Sequence, residues 1–120
     1  MKLSLKQSYA IRQIAALLYT FLPGSGHTKW QGHVSFQSIA RRVGVGEFWV
    51  GGSKEPAIVH LLEQTLSRRQ ELFEPLILDI VRNGITYRSK HGKPVRREEI
   101  ETLNGLLLEV GFKFRDLWSS

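Results

Sequence analysis

Ile11, Ile14, Ala15, Leu18, Phe21 and Leu22 recur at the 3.6-residue spacing of an amphipathic helix, and the same period returns in four later stretches. These are Phe36-Ile39-Ala40-Val43, Ile58-Leu61-Leu62-Thr65-Leu66, Phe73-Leu76-Ile77-Ile80-Val81 and Ile100-Leu103-Leu107-Val110. The punctuation between them is that of helix ends. Ser4 and Gln7 have the spacing of a capping box, and Pro23-Gly24 stops the first helix. Ser35 and Gly44 bracket the second, and Ser53, with Pro56 in the first turn, opens the third. At 120 residues the chain suffices for one core and not for two. The expected fold is an all-α, compact bundle of about five helices in a single domain, residues 1–120.

Four stretches leave choices open. The loop 23–34 carries His27, Lys29, Trp30 and His33, and its tryptophan either meets a ligand or folds back onto the core. Pro75 either kinks a continuous helix or starts a new one. Asn83-Gly84 ends a helix, or lets it fray on through Tyr87, or forms a type I′ turn between two strands; the unbroken run Leu76-Ile77-Leu78 favours helix. Asn104-Gly105, inside the last helix, costs about 1 kcal/mol relative to alanine. A close approach of another backbone at Gly105 is the expected compensation. The tail keeps Phe112, Phe114, Leu117 and Trp118 apolar, which suits docking on the core or on a partner.

The charge is +6 and unevenly spread. Seven Lys and Arg against two acids in residues 1–60 give +5, and ten against nine in residues 61–120 give +1. No acid lies between Asp79 and Glu98, a stretch that holds Arg82, Arg88, Lys90, Lys93, Arg96 and Arg97. Such a field either attracts polyanions (nucleic acid, an anionic membrane surface or an acidic partner) or is a solvated loop that keeps the protein soluble. Catalytic patterns are not found. With no cysteine, thiolate metal sites and disulfides are excluded, and none of the four histidines has an i, i+4 partner. Gly24–Lys29 lacks the Walker spacing, and Trp49 stands where a dinucleotide fingerprint needs its third glycine. The HEPN ribonuclease pattern, an Arg followed four to six residues later by His, is absent because only two residues separate Arg88 from His91. We therefore expect no enzyme activity, no metal and no cofactor. The first apolar segment is broken by Tyr9, Arg12, Gln13, Tyr19 and Thr20, too polar and short to span a bilayer, so a cytoplasmic protein without membrane contact is expected.

Ser35 as cap, Ile39-Ala40 facing inward, Gly44-Val45 at the turn and Ser53 opening the next helix together resemble the helix-turn-helix DNA-binding family over about half the chain. The connector Val45–Gly52 is longer than that family's three- or four-residue turn and holds Phe48 and Trp49. The resemblance implies that the helix after Ser53 enters a major groove. Lys54, Glu55, His60 and Gln64 would then meet base edges. Arg41, Arg42 and Arg68, with Arg88, Lys90, Lys93, Arg96 and Arg97 of the basic turn, would hold phosphates. DNA is the expected partner ahead of RNA. The competing expectation is a protein-recruitment module of a bacterial defence or regulatory system, anchored by exposed Trp30, Phe48, Trp49 and Trp118. Self-association is compatible with either.

Overall fold

Ser4 accepts the Gln7 N–H on its hydroxyl at 3.1 Å, and the Gln7 side chain accepts the Ser4 N–H at 3.0 Å, so the first helix starts with the expected reciprocal cap. The computed structural model describes residues 2–24 and 34–112. Within them lie five helices and no strand: α1 (Leu5–Leu18), α2 (Phe36–Val43), α3 (Lys54–Arg68), α4 (Phe73–Lys90) and α5 (Arg97–Glu109). Short 3-10 turns at Gly46–Phe48 and Gln70–Leu72 precede α3 and α4. The all-α bundle expected from periodicity is what forms. None of the described helices is long and apolar enough to cross a membrane. Trp30, Trp118, the three other ligand-type residues of the first loop and the tail beyond Phe112 lie outside the described residues.

The apolar stripes become one core. Ile11, Ile14, Leu18, Phe36, Ile39, Leu61, Leu62, Phe73, Ile77 and Leu103 are all fully buried within it. α1 stops at Leu18, one turn before the apolar stripe does. Phe21 and Leu22 are buried beyond its end, with the Phe21 N–H on the Leu18 carbonyl at 2.9 Å. α2 has the boundaries its caps dictate: Ser35 accepts from the Ser38 N–H, and Gly44 adopts φ +107° with its N–H on Ala40 and Arg41 carbonyls. The first two N–H groups of α2 donate to Pro23 and Gly24 carbonyls at 2.9 and 3.0 Å. That start is closed to an anion.

Neither a hairpin nor a helix end occurs at Asn83-Gly84. α4 runs through both, because Gly84 packs face to face with Phe21: a Cβ added there would lie 2.5 Å from the Phe21 ring. Pro75 sits in the first turn of α4, where its missing N–H leaves no bond unmade. Gly105 corrects another expectation. It is exposed with no atom of another segment within 4 Å of its would-be Cβ among the described residues, so none of their backbones approaches there.

Contacts at the helix ends give the directions. Gln7 near the start of α1 reaches the Val110 carbonyl after α5, while Thr20 after α1 and Glu99 at the start of α5 share one guanidinium. α1 and α5 are therefore antiparallel. Lys54 at the start of α3 lies over Tyr19, just past α1, so α3 is antiparallel to α1 as well. α2 lies on α4 and on the Gly46–Phe48 turn, α3 on α1. One end of the bundle thus gathers the C-terminal ends of α1 and α4 and the starts of α3 and α5.

Thr65 is fully buried on α3 and its hydroxyl finds no hydrogen-bond partner among the described residues. An unsatisfied buried hydroxyl costs about 1–3 kcal/mol in desolvation. Thr65→Val, which keeps the shape and removes the polar atom, is expected to stabilise the fold by roughly 1 kcal/mol. A urea titration should show a higher midpoint at unchanged slope; a lower midpoint would mean that the hydroxyl is bonded in solution.

Candidate nucleic-acid interface

The basic turn between α4 and α5 is built around Arg88. Its Nε donates to the Lys93 carbonyl at 2.6 Å and one terminal nitrogen to the Pro94 carbonyl at 3.5 Å. Its two terminal nitrogens donate to the two Glu99 carboxylate oxygens at 3.1 Å each, and one of them also reaches the Thr20 hydroxyl at 3.1 Å. The guanidinium and the carboxylate are 13% and 14% exposed, so this is a nearly buried, fork-to-fork pair. Burial by itself would push the Glu99 carboxyl up. The hydrogen bonds from Arg88 and from the Arg96 N–H, with the charges of both arginines, outweigh it and hold the group below the usual carboxylate range. Arg88 is thus engaged inside the protein with Glu99, Thr20 and two carbonyls, whereas the sequence reading assigned it to a phosphate.

The clamp fixes the rest of the turn. The Lys93 N–H returns to the Arg88 carbonyl at 3.0 Å, Gly92 supplies the φ of +77°, and Val95 is buried as the anchor. The His91 ring packs on Tyr87 at 4.2 Å between centroids. Lys90, Lys93, Arg96 and Arg97 are left exposed on a backbone that cannot rearrange without breaking the clamp. Lys90 and Lys93 make no ion pair among the described residues. Arg96 stays 72% exposed, with its Nε 3.7 Å from Glu99.

The other expected phosphate contacts lie elsewhere. Arg42 forms a two-pronged pair with Asp79 of α4 at 2.8 and 3.0 Å, and the Asn83 amide donates to the same carboxylate, at Oδ1, at 2.9 Å. Asp79 and Lys90 are separated by roughly 16 Å along α4 at 1.5 Å per residue. Arg41 is exposed beside Arg42. Arg68 lies over the Phe48 ring at 5.9 Å, with Gln64 at 3.5 Å, towards the far end of α3. The expected cations are therefore spread over the molecule, while Lys90, Lys93, Arg96 and Arg97, all exposed, lie in or beside the α4–α5 turn.

The outward side of α3 is also different from a base-reading face. The Lys54 amine sits over the Tyr19 ring at 4.4 Å instead of projecting outward. His60 donates from Nδ1 to the Phe48 carbonyl at 3.0 Å, an assignment forced by an acceptor that has no proton to give. Glu55 and Glu63 line a shallow groove with Arg12, Pro56, Val59 and His60. Phe48 is buried, and Trp49 is half-buried, stacked on Phe36 at 6.1 Å and 9°. Both complete the core under the connector, which corrects their expected exposure. The apolar side chains left outward include Leu5, at 91%, and Tyr9, at 62%, one turn apart on α1.

Sequence reasoning missed three participants: Glu99 and Thr20 as the partners that consume Arg88, and Tyr19 as the platform for Lys54. Only the last had a signal. A lysine directly after a helix N-cap opposes the macrodipole, and that conflict marks a position held by something else. Among the described residues no cluster of His, Asp and Glu could hold a metal ion. No family model matches the chain, and neither a curated protein nor a solved structure shows a significant similarity to it.

Proposed function

We propose that the chain is a non-catalytic binding module that holds nucleic acid, duplex DNA in the first instance, by its phosphates at the α4–α5 turn. The observation that carries this reading is the Arg88 clamp. A guanidinium used up inside the fold leaves Lys90, Lys93 and Arg96 at fixed positions on the outside. Preorganised cations lose less side-chain and backbone freedom on binding than cations on a loose loop. In the helix-turn-helix reading α3 would add base contacts. Glu55 and Glu63 on its outward side oppose a close approach to phosphates, so the contribution of α3 is the smaller one.

Fluorescence anisotropy with a labelled DNA duplex tests the proposal. Three phosphate contacts give a log–log salt slope of roughly −3. Lys90→Glu/Lys93→Glu is expected to weaken binding and flatten the slope by about 2, while Arg41→Glu leaves both nearly unchanged. Equal binding by the double variant, or no binding by the unmodified chain at low salt, removes the proposal. A protein-recruitment role is the second reading, favoured by exposed Leu5 and Tyr9 on one side of α1. It predicts a partner whose binding responds to Leu5→Asp and hardly to salt.

A further inference from the structure

His91 caps the C-terminal end of α4, and its backbone N–H donates to the Tyr87 and Arg88 carbonyls at 3.2 Å each. Its side chain turns back onto the helix. Nδ1 donates to the Tyr87 carbonyl at 2.9 Å, since a carbonyl has no proton to give. The imidazole also lies against the Tyr87 ring, at 4.2 Å between centroids and 30° between planes. Tyr87 is half-buried and packed on the core. A hydrogen bond and a ring contact thus fix the imidazole in one orientation. The residue is nonetheless exposed, and no other ring among the described residues lies on it. One face of the imidazole rests on Tyr87 and the other is left to solvent.

Cations stand on both sides of it in the chain. Lys90 directly precedes His91 and Lys93 follows two residues later, so their Cα atoms lie within about 8 Å of that of His91. Both lysines are exposed and make no ion pair among the described residues. Paired and unpaired nucleic acid would use such a group differently. In a duplex each base is stacked between its neighbours and offers the protein an edge. An unpaired base has a free π-face, which stacks on aromatic side chains, histidine among them, while cations hold the phosphates beside it.

We propose that the α4–α5 turn takes a single-stranded segment of DNA, with one unpaired base stacked on the open face of His91 and the adjoining phosphates held by Lys90 and Lys93. This rests on the phosphate-binding reading of the same turn and adds to it what lies between the phosphates. Every base has a π-face, so the stack selects unpaired over paired DNA and not one base over another. Tyr87 is a positioning residue: it touches the imidazole and holds it flat, and does not meet the nucleotide. A duplex bound at the turn is held by its phosphates alone.

The test compares two labelled DNA strands of equal length in anisotropy titrations of the whole chain at low salt. One is an unstructured single strand; the other carries abasic sites throughout, and so has the same phosphates and no bases. The strand with bases is expected to bind about fivefold tighter or more, the effect of losing one stacked base. His91→Ala should erase that ratio by weakening the base-bearing strand alone, because a contact with phosphate would act on both strands alike. Lys90→Glu/Lys93→Glu should weaken both. Equal affinity of the unmodified chain for the two strands overturns the stacking proposal and leaves the phosphate reading standing. A ratio that survives His91→Ala, whether or not both affinities fall, does the same. No binding of either strand overturns both.

Discussion

Arg88→Ala is expected to destabilise the protein by about 2–4 kcal/mol at neutral pH, near the range for breaking a buried ion pair and lowered slightly for its residual exposure. The loss has three parts. Glu99 keeps its nearly buried carboxylate and loses its bidentate partner. The Lys93 and Pro94 carbonyls and the Thr20 hydroxyl lose a donor. The guanidinium also leaves the Phe21 ring, 5.5 Å away. Arg88→Lys restores little, since an ammonium cannot reproduce the planar fork. The sign of the pH dependence follows from Glu99. Its folded value is depressed, so in the unmodified chain its stabilisation is complete above the unfolded carboxylate value of about 4.3 and is lost as pH falls through the folded value. Without Arg88 the main causes of the depression go and burial remains, so protonation then relieves a strain instead of removing a bond. The penalty of Arg88→Ala should therefore be largest at neutral pH and shrink towards about pH 3, as read from urea midpoints at the two pH values. A penalty independent of pH would mean that Glu99 is not the principal partner. If the turn binds DNA as proposed, the variant should also weaken that binding, because Arg88 positions Lys90 and Lys93.

Local chemistry was legible and long-range chemistry was not. The bounds of α2 follow from Ser35 and Gly44, and the start of α1 from Ser4 and Gln7, because caps are settled within four residues. The end of α1 escaped, since Phe21 and Leu22 continue the apolar stripe yet are buried from a turn. Charge gave a correct list of cations and no account of their use. Arg42 is committed to Asp79, which lies 37 residues on, and Arg88 to Thr20, 68 residues back, and no periodicity carries that information. Phe48 and Trp49 look like outward anchors between glycines, but their neighbours are supplied by α2 and α3.

The two mid-helix glycines carry the sharpest test of the packing, because the same substitution is expected to act in opposite directions. Both Gly84 and Gly105 are in helices with no positive φ, so alanine improves the intrinsic propensity at each by about 1 kcal/mol. At Gly105 none of the described residues outside its own helix stands within 4 Å, and Gly105→Ala should return most of that gain. At Gly84 the new methyl would lie 2.5 Å from Phe21 Cδ2 and 2.8 Å from Phe21 Cβ. The Cβ cannot swing aside as a ring edge can, so the segment after α1 must move off α4, and overpacking of this kind costs about 1–3 kcal/mol. Gly84→Ala is therefore expected to lower stability, and a bulkier valine to lower it further. A double-mutant cycle assigns the cause. Phe21→Ala alone should cost about 3–5 kcal/mol by emptying the space over Gly84. In that background Gly84→Ala should lose part of its penalty, since the ring atoms are gone while the Cβ at 2.8 Å stays; with Phe21→Gly, which removes that Cβ too, it should turn neutral or stabilising. If Gly84→Ala is as costly in the Phe21→Gly background as in the unmodified chain, the penalty comes from α4 itself, and the seating of Phe21 on that glycine is not what joins α1 to α4.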